Sequence, residues 1–147
     1  MKLTVNKEQI IEGLLKAAAI LPAKAGTQYL RSIWLKAEDG RLEVMATDAT
    51  LEFTGRYPAE VEEPGLVGVQ GRAFVDLVRQ LPGGLLRLSL DAASGNLHLE
   101  QGRRSYKLPV SGAEWFQNVS AFPEENAVAW SGDFLQDVLD KVSFCID

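Results

Sequence analysis

One cysteine, Cys145, and one histidine, His98, are the only thiol and imidazole in this chain of 147 residues. A lone cysteine excludes an internal disulfide, and so small a stock of soft ligands argues against zinc. No apolar run approaches the roughly 20 residues that cross a bilayer. Met1-Lys2-Leu3-Thr4 lacks the apolar stretch of a signal peptide. A soluble, cytoplasmic protein with no membrane partner is therefore the expectation. No Ser, His and Asp spacing suggests a triad. A phosphate-cradling loop is also missing, because Pro82-Gly83-Gly84 closes a helical pattern instead of opening one. Asp48 and Glu52 could mimic a metal pair, but no third ligand stands out. No catalytic residue, metal or cofactor is expected, and His98 reads as a solvent-facing strand residue in Asn96-Leu97-His98-Leu99-Glu100.

What is present suits one ordinary domain with a proper core. The chain is 46% hydrophobic and 24% charged, which excludes a disordered or fibrous protein. Its formal net charge is −5. Taken alone, that sum disfavours a polyanionic partner, since phosphate contacts need Lys and Arg. The objection fails if the 15 Lys and Arg residues include a locally basic face.

Periodicity gives the elements. Lys2–Val5 reads as a strand. Asn6, with Gln9 three positions on, suits a capping box. Ile10, Leu14, Ala17 and Leu21 then recur at helical spacing, widened by Ile11 and Leu15, and Pro22 ends the helix. Strands follow at Tyr29–Lys36, Leu42–Ala46, Leu51–Tyr57 and Gly65–Val69, with a turn at Asp39-Gly40. A second helix starts near Gln70, buries Phe74, Leu77, Val78 and Leu81, and stops at Pro82-Gly83-Gly84. Strands Leu85–Leu90, Leu97–Gln101 and Ser105–Val110 come next, then a looser stretch, a strand at Ala127–Trp130 and a third helix from Ser131.

The helix starts can be superposed. Ile10, Ile11, Glu12 and Leu14 align with Phe74, Val75, Asp76 and Val78, and Ile10, Leu14 and Lys16 align with Leu135, Leu139 and Lys141. The spacing is about 60–65 residues, the mark of a recurring strand–helix–three-strand unit. Two such units predict an α+β fold with two helices packed on one face of curved antiparallel sheets. The third unit has begun its helix when the sequence stops, which predicts truncation.

At this level the chain resembles the bacterial sliding clamp, the beta subunit of DNA polymerase III, over its whole length. The resemblance is carried by Met1-Lys2-Leu3-Thr4-Val5, by Ala46-Thr47-Asp48 before Leu51-Glu52-Phe53, by Gly71-Arg72-Ala73-Phe74 with Leu81-Pro82, and by Gly102-Arg103-Arg104-Ser105-Tyr106-Lys107-Leu108. Their order and spacing are more specific than any one of them. Two places depart from the family: Ala23-Lys24-Ala25-Gly26-Thr27-Gln28-Tyr29-Leu30 stands where an Arg-Pro loop is usual, and Glu114-Trp115-Phe116-Gln117 lacks the usual proline. The resemblance implies a DNA clamp fold, with residues 1–125 as a first clamp domain and 126–147 as the opening strand and helix of a second. It also implies a homodimeric ring around duplex DNA that tethers the replicative polymerase and is served by a clamp loader, without catalysis.

Sliding needs phosphate contact without base readout. Arg72 and Arg79 share one polar face of the second helix, with Asp76 between them, and Lys7 and Lys16 lie off the apolar stripe of the first. Lys24 lies in the loop after it. These five are the candidate DNA contacts; the resemblance supports Lys24 and Arg72 in particular, at family DNA-contacting positions. Charged residues on an amphipathic helix are otherwise simply solvated. Arg103, Arg104, Tyr106 and Leu108 lie in the hairpin that, in the family, meets the partner subunit; the plain alternative is a solvated hairpin. Two further readings of the whole chain stay open: a free-standing scaffold domain acting on peptides, and a metal-dependent nuclease built on Asp48.

Overall fold

The computed structural model describes residues 1–22, 27–91, 93–116, 125 and 127–146. The order is β1 (Lys2–Asn6), α1 (Lys7–Ile20), α2 (Gln28–Arg31), β2 (Ser32–Glu38), β3 (Arg41–Thr47), β4 (Glu52–Pro58), β5 (Glu60–Glu63), β6 (Gly65–Gln70), α3 (Gly71–Gln80), β7 (Leu85–Asp91), β8 (Asn96–Gln101), β9 (Arg104–Ser111) and α4 (Gly132–Val142). One-turn 3-10 segments occupy Ala113–Trp115 and Ser143–Cys145.

The strands run β4-β3-β2-β6-β9-β8-β7-β1-β5, and every described pairing is antiparallel. The predicted repeat is present, and its units are interlocked. β1 opens the first unit yet pairs with β7 of the second, Leu3 opposite Leu88. β6 opens the second unit yet pairs with β2 of the first, Ile33 opposite Val69. β9 lies against β8 from Arg104 to Pro109, then pairs with β6 at Val110 and Ser111. In the first unit the matching long strand is broken at Ala59, so β4 pairs with β3 and β5 with β1.

One core joins both units. Leu3 and Val5 of β1, Ile10, Leu14 and Ala17 of α1, and Phe74, Val75 and Val78 of α3 are buried with Ile33, Leu35, Val44, Val69, Leu86, Leu88, Leu97 and Leu99. Burying a side chain of this class contributes about 1.5–3 kcal/mol, so these residues dominate the stability. Alternation along β2, β3, β7 and β8 sends one face inward, as a pleated strand requires. The Asp39-Gly40 turn holds both residues at positive φ, 49° and 71°, as a two-residue hairpin turn demands.

The predicted elements need five corrections. Tyr29 does not start a strand; it lies in α2, where its ring meets Trp34 at 5.7 Å and its carbonyl accepts from the Trp34 indole N–H at 3.4 Å. Trp34 is buried on the outer side of the sheet beside Met45, with Phe116 edge-on at 5.2 Å. No strand is expected between Tyr57 and Gly65, yet β5 lies there, paired with β1 and tied by Glu62 to Lys2 at 2.6 Å and to Arg87 at 3.0 Å. Residues 127–130 form no strand; Trp130 packs on Phe134 instead, at 5.3 Å. Leu15 is not part of the apolar stripe and stays 43% exposed, whereas Val75, outside the expected set, is buried. His98 is half-buried between Ser89 and Lys107 on neighbouring strands and not fully solvent-facing.

Candidate nucleic-acid interface

The candidate surface is made by α1 and α3, which pack on each other with their polar faces outward. Asn6 starts α1, its side chain accepting from the Glu8 N–H at 2.9 Å. This is a simple N-cap to the second helical N–H and not the expected capping box, whose bond would go to the Gln9 N–H; Gln9 is exposed. At the second helix the first residue is Gly71, and contact explains why. A Cβ there would stand 2.2 Å from Leu21 Cδ1 and 3.0 Å from Ile33 Cγ1.

The two helices run antiparallel and cap one another. Each ends in a buried leucine followed by proline, Leu21-Pro22 and Leu81-Pro82. At one end Lys7 Nζ donates to the carbonyls of Arg79, at 3.1 Å, and Leu81. The Lys7 N–H also donates to Gly84 O at 2.9 Å, and the Glu8 carboxylate accepts from the Gly84 N–H at 3.0 Å. At the other end Arg72 Nη2 donates to Leu21 O at 3.2 Å. Helix C-termini leave carbonyls without intrahelical partners and carry partial negative charge. A cation from the neighbouring helix answers both needs.

Each predicted cation on the helices thus has a described partner. Lys16 pairs with Glu12 at 2.8 Å, which raises the lysine pKa and lowers that of the glutamate through their shared hydrogen bond and charge. Arg79 lies 3.7 Å from Asp76. Both pairs are exposed, where solvent and salt screen them. The guanidinium of Arg72 spends one nitrogen on Leu21 O and keeps further donors for an anion. Lys24 lies outside the described residues. Four cations on these helices, Lys7, Lys16, Arg72 and Arg79, face three anions, Glu8, Glu12 and Asp76. The surface is therefore only slightly positive, against −5 for the whole chain.

The second set of candidates lies on β9 and, for Arg103, in the turn that leads into it. Arg103 and Arg104 are exposed, while Tyr106 and Leu108 are half-buried and pack on the core from the inner side. From Arg104 to Pro109 the strand is paired on the β8 side alone among the described residues. Along its other edge no strand is paired with it among the described residues.

Asp48 has a structural task. Its Oδ1 accepts from the N–H groups of Thr50 and Leu51 at 2.8 and 2.7 Å, which lowers its pKa and folds the turn into β4. Among the described residues no group of three His, Cys, Asp or Glu side chains stands together as a metal site. None of the described helices is long and apolar enough to cross a membrane.

Comparison with known proteins accounts for this architecture. The family described as DNA polymerase III beta subunit, N-terminal domain, matches residues 1–120. The chain is 28% identical over 147 residues to the beta sliding clamp of Caulobacter vibrioides strain NA1000, covering 99% of this chain and 40% of that protein. It is 32% identical over 111 residues to the beta sliding clamp of Streptomyces coelicolor, covering 75% of this chain and 30% of that protein. The solved structure of Caulobacter crescentus pol III beta matches with a TM-score of 0.89 at 28% identity, over 100% of this chain and 40% of that one. The chain therefore spans 40% or less of the length of these relatives.

Proposed function

We infer the function from one premise: the chain belongs to the family of the DNA polymerase III beta subunit, N-terminal domain. We propose that it supplies the first arc of a sliding clamp, a non-catalytic processivity factor that encircles duplex DNA and tethers the replicative polymerase. Residues 126–147 are read as the opening of a second clamp domain; the Ser131 cap and apolar face of α4 support this. The polymerase, the clamp loader and the homodimeric ring belong to the same proposal.

The observation that carries it is the pair of antiparallel helices whose exposed faces mix cations with acidic neighbours. Such a face attracts phosphates weakly and offers nothing shaped for base edges. Lys24, Arg72 and Arg79 are the proposed contacts, with Lys7 and Lys16 adding charge. Arg103, Arg104, Tyr106 and Leu108 are the proposed subunit interface, supported by the edge of β9 along which no strand is paired among the described residues.

The test is fluorescence anisotropy with two unrelated duplexes at low ionic strength. Both are expected to bind equally and weakly, with affinity falling as salt rises. Arg72→Ala and Lys24→Ala should each lower affinity and reduce the salt slope by about one. Binding untouched by both substitutions sinks the site assignment. A strong preference for one duplex sinks the sliding reading.

A further inference from the structure

We propose that the cleft where β9 leaves β6, on the outer side of the sheet, binds a small carboxylate through Arg31 and Gln70. This site is separate from the proposed clamp role and uses none of the proposed DNA contacts.

The cleft follows from strand register. Ile33, Leu35, Val67, Val69 and Val110 face the core that holds α1 and α3. Their neighbours along the strands face the other way. There Trp34, Gly68 and Ser111 lie side by side across β2, β6 and β9, and Ser32 sits beside Gln70 one step along. β9 stays with β6 only at Val110 and Ser111. The residue before them, Pro109, pairs with Asn96 of β8 and has no N–H to extend the ladder toward Gln70. Between Gln70 and Pro109 the strands part, and a cleft of about 360 Å³ is lined by both, room enough for a small ligand.

A missing side chain keeps its floor open. Gly68 lines the cleft, and a Cβ there would stand 3.0 Å from the Trp34 ring. That ring is packed against Tyr29 and Phe116. Ser32 and Ser111 form small, buried polar walls.

The charge selects the ligand. Arg31, the last residue of α2, is the one charged side chain lining the cleft among the described residues. It is exposed and makes no ion pair among them. A guanidinium presents a planar fork that meets one carboxylate with two parallel hydrogen bonds. Gln70 is also exposed, and its side chain makes no cap bond to α3. A carboxamide both donates and accepts, which suits an amide beside the carboxylate. A dianion would bring a second charge that no lining residue among those described balances. An amide next to a carboxylate is the chemistry shared by N-acylated amino acids and by the last residue of a peptide.

The test is an NMR titration of the isotope-labelled full chain with N-acetylglycine. The expected result is a saturable shift of the Gly68, Gln70 and Ser111 amides and of the Arg31 Nε–H, absent with neutral N-acetylglycinamide. Arg31→Met, which keeps the stem and removes the charge, should weaken binding about tenfold. Gln70→Glu, which sets a carboxylate against the ligand, should abolish it. Both positions are exposed, so the melting temperature of each variant should match the parent. An acetylated tetra-alanine with a free C-terminus distinguishes the sources. Tighter binding than N-acetylglycine assigns the cleft to peptide ends, and equal or weaker binding assigns it to free acids; both uphold the carboxylate site. No saturable shift, an equal response to the neutral amide, or undiminished binding by both variants overturns the proposal. So does a loss of duplex affinity in Arg31→Met as large as that in Arg72→Ala, which would place Arg31 with the DNA contacts.

Discussion

Lys7 and Lys16 look alike in the sequence: both are lysines off the apolar stripe of one helix. The structure gives them different work. Lys7 reaches across to the last carbonyls of α3, whereas Lys16 meets Glu12 on the surface of its own helix. A hydrogen bond from a charged donor is worth more than an exposed ion pair. Lys7→Met should therefore cost about 1 kcal/mol of stability, read as a fall in melting temperature of roughly 2–4 °C. Lys16→Met should produce no resolvable fall. Equal melting temperatures for the two variants would remove the cross-helix cap from the account. The same comparison bears on DNA, because Lys7 engaged with α3 is less available to a phosphate than its sequence position suggests. None of this was legible beforehand, since the acceptors of Lys7 lie more than seventy positions away along the chain.

At the scale of elements, the sequence was most readable where burial follows a period. The apolar positions of α1 and α3 recur on one face and both helices run into proline, so their limits came out nearly right. So did the turn at Asp39-Gly40, whose backbone only a few residue types accept readily. Reading failed where something other than periodic burial holds the chain. β5 is a short, glutamate-rich strand paired with β1, with ion pairs to Lys2 and Arg87 beside the ladder. α2 exists to bring Tyr29 over Trp34. Residues 127–130 carry an apolar pattern but have no described strand beside them. The candidate cations were legible as residues, not as geometry, because their partners depend on how two distant helices dock. That docking is itself testable at Gly71. Replacing it with alanine forces a methyl into Leu21 and Ile33 and against the Arg31 carbonyl. Overpacking of this kind costs about 1–3 kcal/mol; urea denaturation should show the midpoint falling with the slope unchanged. A variant as stable as the parent would mean the helices can part without penalty.

For the whole molecule, the interlocked strands decide how it comes apart. Neither unit owns a complete sheet: β1 lies on the second unit's meander and β6 on the first. Opening one unit strips a strand from the other, so residues 1–116 should unfold as one. Native-state hydrogen exchange checks this, with the slowest amides around Leu3, Ile33, Val69 and Leu88 expected to share one opening free energy. Two separate values, one for each unit, would show that the units are independent.

The same exchange of strands has a consequence for synthesis. A ribosome makes β1 first, but the strand that completes its inner side is β7, at Leu85–Asp91. α1, also made early, caps and is capped by a helix that ends only at Gln80. For more than half of the time this chain takes to emerge, its first strand lacks β7 and its first helix lacks α3, even though β5, β3 and β4, which also meet them, are made sooner. Vectorial synthesis at a few residues per second makes that wait several seconds long, a window in which the nascent segment must be shielded or left to local collapse.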